Sequence, residues 1–204
     1  MIKIAVCVLM VWAIPCAAQD YLSLVPEGWE IIDVQAGDLN KDQVDDVAMI
    51  VRFMGDVALP PRSLIVAFKT AGGYSDPYRA DDVIMGEHEG GTMGDPLQPM
   101  QIRRGTIVLS FAGGSRQRWG FTYIFRYQKG DFRLIGATNE NVDPIDEIWH
   151  TYDYNLSTGK IVITHTYGKE PERNETKELT RVLDPLPSLS TFSQDSVNLW
   201  EGIE

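Results

Sequence analysis

"GFTYIFRYQ", residues 120–128, sets Phe121, Tyr123, Phe125 and Tyr127 against Thr122, Ile124 and Arg126. A period of two sends successive side chains to opposite faces of an extended chain, whereas a helix gathers apolar residues every three or four positions. The stretch therefore reads as a strand with one aromatic, core-forming face. "GKIVITHTYG" (159–168) repeats the pattern, with Ile161, Ile163, His165 and Tyr167 opposed to Val162, Thr164 and Thr166. "RSLIVAFKT" (62–70), "GTIVLSFAGG" (105–114) and "DFRLIGAT" (131–138) are short β-branched or aromatic runs closed by turn residues. Between the strands stand hairpin-type turns, "KTAGGYSDP", "FAGGSRQRWG", "YQKGDF" and "NLSTGKI". No run reads as an amphipathic helix of three turns. "ETKELTRVL" (175–183) comes nearest, and it is short and stops at "DPLP". The fold class expected is all-β, mainly antiparallel: a single-domain meander, sandwich-like or propeller-blade-like. Residues 19–183 form the β-rich domain, and 184–204 form a C-terminal tail that either wraps the body or frays.

The first eighteen residues follow a different logic. Lys3 precedes an apolar run from Ile4 to Ile14, and Cys16 and Ala18 supply small residues at the −3 and −1 positions of a cut before Gln19. This is the layout of a secretory signal peptide, and the run is too short to span a bilayer. Pro15 before Cys16 and Val6 before Cys7 do not suit lipidation, which needs a small residue there. The mature protein is expected to be exported, periplasmic or extracellular, with no membrane span. Both cysteines, Cys7 and Cys16, fall in the removed segment. Disulfides, thiolate metal sites and cysteine nucleophiles are thereby excluded from the mature chain. The formal net charge is −11, and loss of Lys3 makes it more negative still. Nucleic acid and anionic membranes demand clustered Lys and Arg, so neither is expected as a partner. A solvated acidic surface, cations, or a basic protein partner suit this balance.

"GDLNKDQVDDVAMIV" (37–51) packs carboxylates against an apolar strand. With Asp38 as position 1, Asn40 is 3, Asp42 is 5, Val44 is 7 and Asp46 is 9. Calcium takes six to eight oxygens, and loops of this type supply them from alternate side chains and a backbone carbonyl at position 7. Gln43 stands where an EF-hand needs glycine, and Met49 where it needs a bidentate glutamate. An EF-hand is therefore excluded, and the flanks "WEIIDVQA" and "VAMIVRF" read as strands. The alternative is an Asx-rich turn without metal. Metal is preferred because Asp38, Asp42, Asp45 and Asp46 otherwise repel one another at short range.

This stretch resembles the calcium loop of FG-GAP or VCBS-type repeats, in which Gly-Asp-x-Asn/Asp-x-Asp-Gly-x-x-Asp precedes an apolar strand. The resemblance implies Ca2+, as a structural ion, at Asp38, Asn40, Asp42, the Val44 carbonyl and Asp46. The motif occurs once, so it does not imply a propeller of many blades. "GGTMGDP" (90–96), "FRYQKGDFRLIG" (125–136) and "DYNLSTGKIV" (153–162) resemble blocks of a family of exported bacterial β-rich proteins that carry one such loop. That likeness implies export and a β-rich fold and brings no activity with it.

The remaining features each have a structural reading beside a functional one. "GEHEGGTMGDP" (86–96) is either a glycine-lined ligand mouth using Glu87, His88 and Glu89 or a flexible turn, and the turn is preferred. His88, His150 and His165 share no ligand spacing, which argues against zinc. "DPIDEIWHTYD" (143–153) offers Asp143, Asp146, Glu147 and Asp153 as a second acidic cluster or as a solvated sheet edge. Trp119, Tyr123, Tyr127, Trp149, Tyr152 and Tyr154 are candidates for a sugar-stacking platform. Alternation assigns Tyr123 and Tyr127 to the core and leaves Trp119 and Trp149 open. No nucleophile elbow, phosphate loop or His-Glu-x-x-His is present. The expected function is an exported binding or interaction module with a protein or carbohydrate partner. The alternatives are a carbohydrate-active hydrolase using a spatial carboxylate pair, and an acidic inhibitor of a basic exported protein.

Overall fold

The alternating stretches form strands, and the strands form two open antiparallel sheets. The computed structural model describes residues 20–193, 199–200 and 202–203. The leader reading of residues 1–18 and the cut before Gln19 lie outside the described residues. β1 (Trp29–Gly37), β2 (Asp46–Phe53) and β3 (Arg62–Ala67) run as a meander. A small hairpin of β4 (Lys69–Thr70) and β5 (Gly73–Tyr74) follows, and then β6 (Tyr78–Ala80) closes a four-stranded sheet in the order β1-β2-β3-β6. β7 (Gln101–Arg103), β8 (Thr106–Gly114), β9 (Arg118–Gln128), β10 (Asp131–Asp143), β11 (Ile148–Asn155), β12 (Lys160–Tyr167) and β13 (Glu175–Thr180) form a seven-stranded sheet. Its order is β13-β12-β11-β10-β9-β8-β7, so every neighbour in space is a neighbour in sequence. Of the two architectures expected, the sandwich-like one is consistent with these open sheets.

β2 and β3 read as nearly unbroken apolar runs because both of their faces are covered. Ala48, Ile50, Leu64 and Val66 pack into the core shared with Ile107, Leu109, Phe125 and Leu134 of the large sheet. Val47, Met49, Val51, Ile65 and Ala67 face the other way, under Tyr21, Leu24, Val25, Trp29 and Tyr74. The large sheet alternates instead. Tyr123 and Phe125 of β9 are buried, while Thr122, Ile124 and Arg126 are half-buried on the outer face. There Thr122 meets Ser110, and Thr138 donates to Asp153.

The C-terminal tail wraps the body. Leu189, Phe192, Leu199 and Ile203 are buried in the same core, with Phe192 edge-on to Tyr123 at 4.9 Å. "ETKELT", the nearest approach to a helix in the sequence, is the edge strand β13, paired to β12 and exposed along its whole length. Tertiary pairing overrides its helical composition. Among the described residues no helix is long and apolar enough to cross a membrane.

Candidate functional site

The inner face of the seven-stranded sheet is longer than what covers it. At the level of Tyr154 and Ile161 the tail lies across it, with Trp200 against Tyr152 and Tyr154. Beyond that level the strands carry polar and aromatic residues in one cross-strand row. Trp119 stands opposite Asn141, Asn141 opposite His150, His150 opposite His165, and His165 opposite Glu175. Directly opposed residues share a face of the sheet. Five strands thus deliver one side chain each to a single line.

A cavity of about 430 Å³ opens along this line, bordered by Gln117, Arg118, Asn141, Asp143, His150 and Tyr152. A second concavity, bordered by Gly91, Thr92, Gly114 and Trp119, continues it across β8 and shares Gln117, Arg118 and Asn141. Two glycines shape the junction. A Cβ on Gly113 would lie 2.3 Å from the Trp119 ring, so only glycine lets the indole lie across β8. Gly114, at φ +113°, turns the chain there and bridges to Gly91. Trp119 itself packs on Phe121 at 5.5 Å, which fixes the ring.

The far wall is held by charge. Arg116 pairs with Asp143 at 3.3 Å and Asp146 at 2.7 Å, and Lys169 donates to the Ile145 carbonyl. The Asp146 N–H, the Ile145 N–H and the Arg116 guanidinium hold the Asp143 carboxyl below its ordinary range. The second acidic cluster expected at 143–153 therefore divides. Asp143 and Asp146 share Arg116 at the cleft, while Asp153 accepts from Thr138 on the outer face. Burial, reinforced by the neighbouring His165, pushes the His150 imidazole below its ordinary value. The two rings lie 4.3 Å apart, centroid to centroid.

The aromatic candidates separate by parity. Tyr123 and Tyr154 are core, and the Tyr154 hydroxyl donates to the Arg181 carbonyl. Tyr127 packs with Phe68, Tyr78 and Phe132. Trp149 points to the outer face and is 38% exposed. Trp119 and Tyr152 are the two at the cleft. Asn141, Gln117, Glu175 and the histidine pair were not singled out as site residues from the sequence, because their alliance is made by strand register alone.

The acidic loop lies at the other end of β8. The Asp38 carbonyl abuts Gly105, just before β8 starts, whereas the cleft begins at Gly114. At about 3.3 Å per residue the two are on the order of 30 Å apart. The loop coils around Asp38, whose carboxylate accepts from the N–H groups of Lys41, Asp42 and Gln43. Positive φ at Lys41 (71°) and Gln43 (70°) makes that coil. Asn40 donates to Asp42 at 3.0 Å, and Asp42 accepts from the Val44 N–H. Asp46 is fully buried beneath them and accepts from the backbone of Leu39, Asn40 and Lys69. Burial pushes its carboxyl up, those N–H groups pull it down, and the charge of Asp42 adds to the rise.

As a donor set the loop is all oxygen. Among the described residues none of Asp38, Asp42, Asp45 and Asp46 is paired with a Lys, Arg or His. Both features suit a hard divalent cation in chemical kind. Among the described residues no three His, Asp or Glu side chains already stand together as a metal-holding group. Asp38, Asn40 and Asp42 share the exposed loop, and Asp46 lies under it. No protein-family model, curated protein or solved structure matches the chain.

Proposed function

We propose that the protein is an exported binding module whose cleft, at the ends of β8 to β11, takes a hydroxyl-rich ligand of the carbohydrate class. One observation carries this reading: the inner face presents a fixed indole, Trp119, in one concavity and Tyr152 and His150 in the next, and the two adjoin through shared Asn141, Gln117 and Arg118. A sugar ring offers an apolar face to an aromatic and a rim of hydroxyls to amide and charged groups, and concave sites of this size suit small ligands. A flat protein interface would not need a cavity. Export rests on the leader-like N-terminus of the sequence. Calcium at Asp38, Asn40, Asp42, the Val44 carbonyl and Asp46 belongs to the same proposal as a brace, since the loop lies far from the cleft and joins β1 to β2.

Binding is better supported than hydrolysis. A glycosidase needs two carboxyl groups flanking the bond, one of them with a raised pKa. Among the described residues Asp143 is the carboxylate that lines this cleft, and it is held low by the N–H groups of its own turn and by Arg116. The raised carboxyl, Asp46, is sealed under the acidic loop.

Titration with a panel of oligosaccharides, read by tryptophan fluorescence, tests the proposal. Saturable binding is expected, weakened roughly tenfold in Asn141→Ala and Gln117→Ala through loss of one hydrogen bond each. Gly113→Ala, which drives a methyl into the Trp119 ring, weakens it further. A panel that gives no binding, or binding indifferent to all three substitutions, overturns the reading.

A further inference from the structure

The cross-strand row contains a pair of imidazoles, of which the binding proposal uses only His150, as a lining group. His150 and His165 are directly opposed on β11 and β12, on the inner face, with ring centroids 4.3 Å apart and planes tilted by 42°. Their separation in sequence conceals this, which is why spacing alone argued against zinc.

The state of His165 is what distinguishes the pair from ordinary packing. Its Nδ1 lies 3.2 Å from the Glu175 Oε1, across the β12–β13 ladder. In a neutral ring that keeps its proton on Nδ1, beside that carboxylate, the lone pair is on Nε2. The His165 Nε2 is buried and has no hydrogen-bond partner. A buried polar atom without a partner carries a desolvation cost, and native structures seldom leave one. A carboxylate on one imidazole nitrogen and a free lone pair on the other is the arrangement that orients a metal-ligating histidine and raises its basicity. His150 lines the cavity and borders open space, so ligand or water can reach a metal held there.

We propose that His150 and His165 form a two-nitrogen site for a zinc-class divalent ion, with Glu175 orienting His165. The donors are borderline nitrogens, which select Zn2+, Ni2+ or Cu2+ and discriminate against Ca2+ and Mg2+. Among the described residues no third His, Asp or Glu completes a preformed group. The other coordination positions therefore fall to water or to a donor on whatever occupies the cleft. The site stands independently of the carbohydrate reading, because it needs only the pair, Glu175 and access.

Titration calorimetry with Zn2+, in excess Ca2+ so that the acidic loop does not compete, tests it. One equivalent is expected to bind. His150→Gln and His165→Gln each weaken binding by roughly tenfold or more, and Glu175→Gln weakens it roughly tenfold to hundredfold through the lost orienting contact. Far-ultraviolet circular dichroism of each variant verifies that the sheets survive, and His150→Gln, at the open side of the pair, is the variant to rely on if His165→Gln unfolds. Zn2+ is expected to perturb the ring proton resonances of His150 and His165 and to spare those of His88. Failure to bind Zn2+ at millimolar concentration overturns the proposal. So does binding that His150→Gln leaves unchanged, or that His88→Gln abolishes.

Discussion

Removing the carboxylate of Asp42 is expected to erase the response of the fold to calcium while leaving the calcium-free fold nearly intact. The structure gives the size of both effects. Without metal, Asp42 accepts from the Val44 N–H at 2.8 Å and from Asn40 at 3.0 Å, and both contacts are exposed. Water replaces exposed acceptors readily, and the substitution also removes a charge that works against buried Asp46. The cost in chelator is therefore about 0.5–1 kcal/mol, near the lower end for a hydrogen bond. With metal the balance differs. Exported calcium modules bind at about 10⁻⁴ to 10⁻³ M, and Gln43 in place of the turn glycine favours the weak end. At ten times the dissociation constant, mass action adds about 1.4 kcal/mol to the stability of the native state. For a domain of this size that raises Tm by roughly 3–6 °C. Differential scanning calorimetry of wild type and Asp42→Ala, each in calcium and in chelator, reads all four values. Wild type is expected to gain those degrees in calcium, and the variant to gain none. Identical wild-type melting in calcium and chelator would refute the reasoning, and the loop would then be an acidic turn held by its own backbone. A full calcium shift surviving in Asp42→Ala would refute it as well, by moving the ion elsewhere.

Two further outcomes concern the scaffold. Arg62 is 2% exposed at its side chain and grips Asp95 through two bonds of 2.8 and 2.6 Å, which hold the Asp95 carboxyl below its ordinary value. A lowered carboxyl pKa contributes stability above the unfolded value of 3.8, and that contribution is lost as pH falls through the lower, folded value. Asp95 is itself 45% exposed, so Asp95→Asn is expected to cost about 1–2 kcal/mol at neutral pH after allowance for screening. Urea unfolding should show that gap closing below pH 3.8, and a gap that is independent of pH would overturn the assignment. Phe192→Ala removes a 2% exposed ring seated between Tyr123 and Phe125 and is expected to cost about 3–5 kcal/mol. A change within about 0.5 kcal/mol in the same assay would mean that the tail does not belong to the core.

The fold was legible wherever one face of a strand is wet. Phe121, Tyr123, Phe125 and Tyr127 alternate with Thr122, Ile124 and Arg126 because the large sheet is covered on one side only, and the period of two follows directly. Where both faces are dry, β2 and β3 give continuous apolar runs without a period, and their reading as strands rested on short length and β-branched composition instead. "ETKELT" carried no strand signal because β13 is an edge exposed throughout, where composition is free to favour a helix and only pairing to β12 decides. The tail, left open between wrapping and fraying, gives no strand pattern: Leu189, Phe192, Leu199 and Ile203 are buried by the sheet residues they meet, which no local pattern announces.

The two candidate sites differ in legibility for a physical reason that bears on their roles. The acidic loop is local. Its oxygens come from nine consecutive positions, and its bonds run between residues two to seven apart, except the one that reaches Lys69. Such a unit can be recognised in a string, and it can be built without disturbing the rest of a sheet, which is what a brace requires. The cleft row is global. Trp119, Asn141, His150, His165 and Glu175 meet only because five strands keep register from residue 119 to residue 175, and a slip of one residue in any hairpin would turn its member to the outer face. Register of that kind is stabilised by the buried rows below it, Tyr123, Ala137, Tyr154 and Ile161, rather than by the polar row itself. The core therefore serves the cleft as its alignment device. Asn141 and Glu175 are the exposed polar members of the row, and exchanging them is expected to leave the fold intact, so a loss of binding in those variants reports on the site and not on stability.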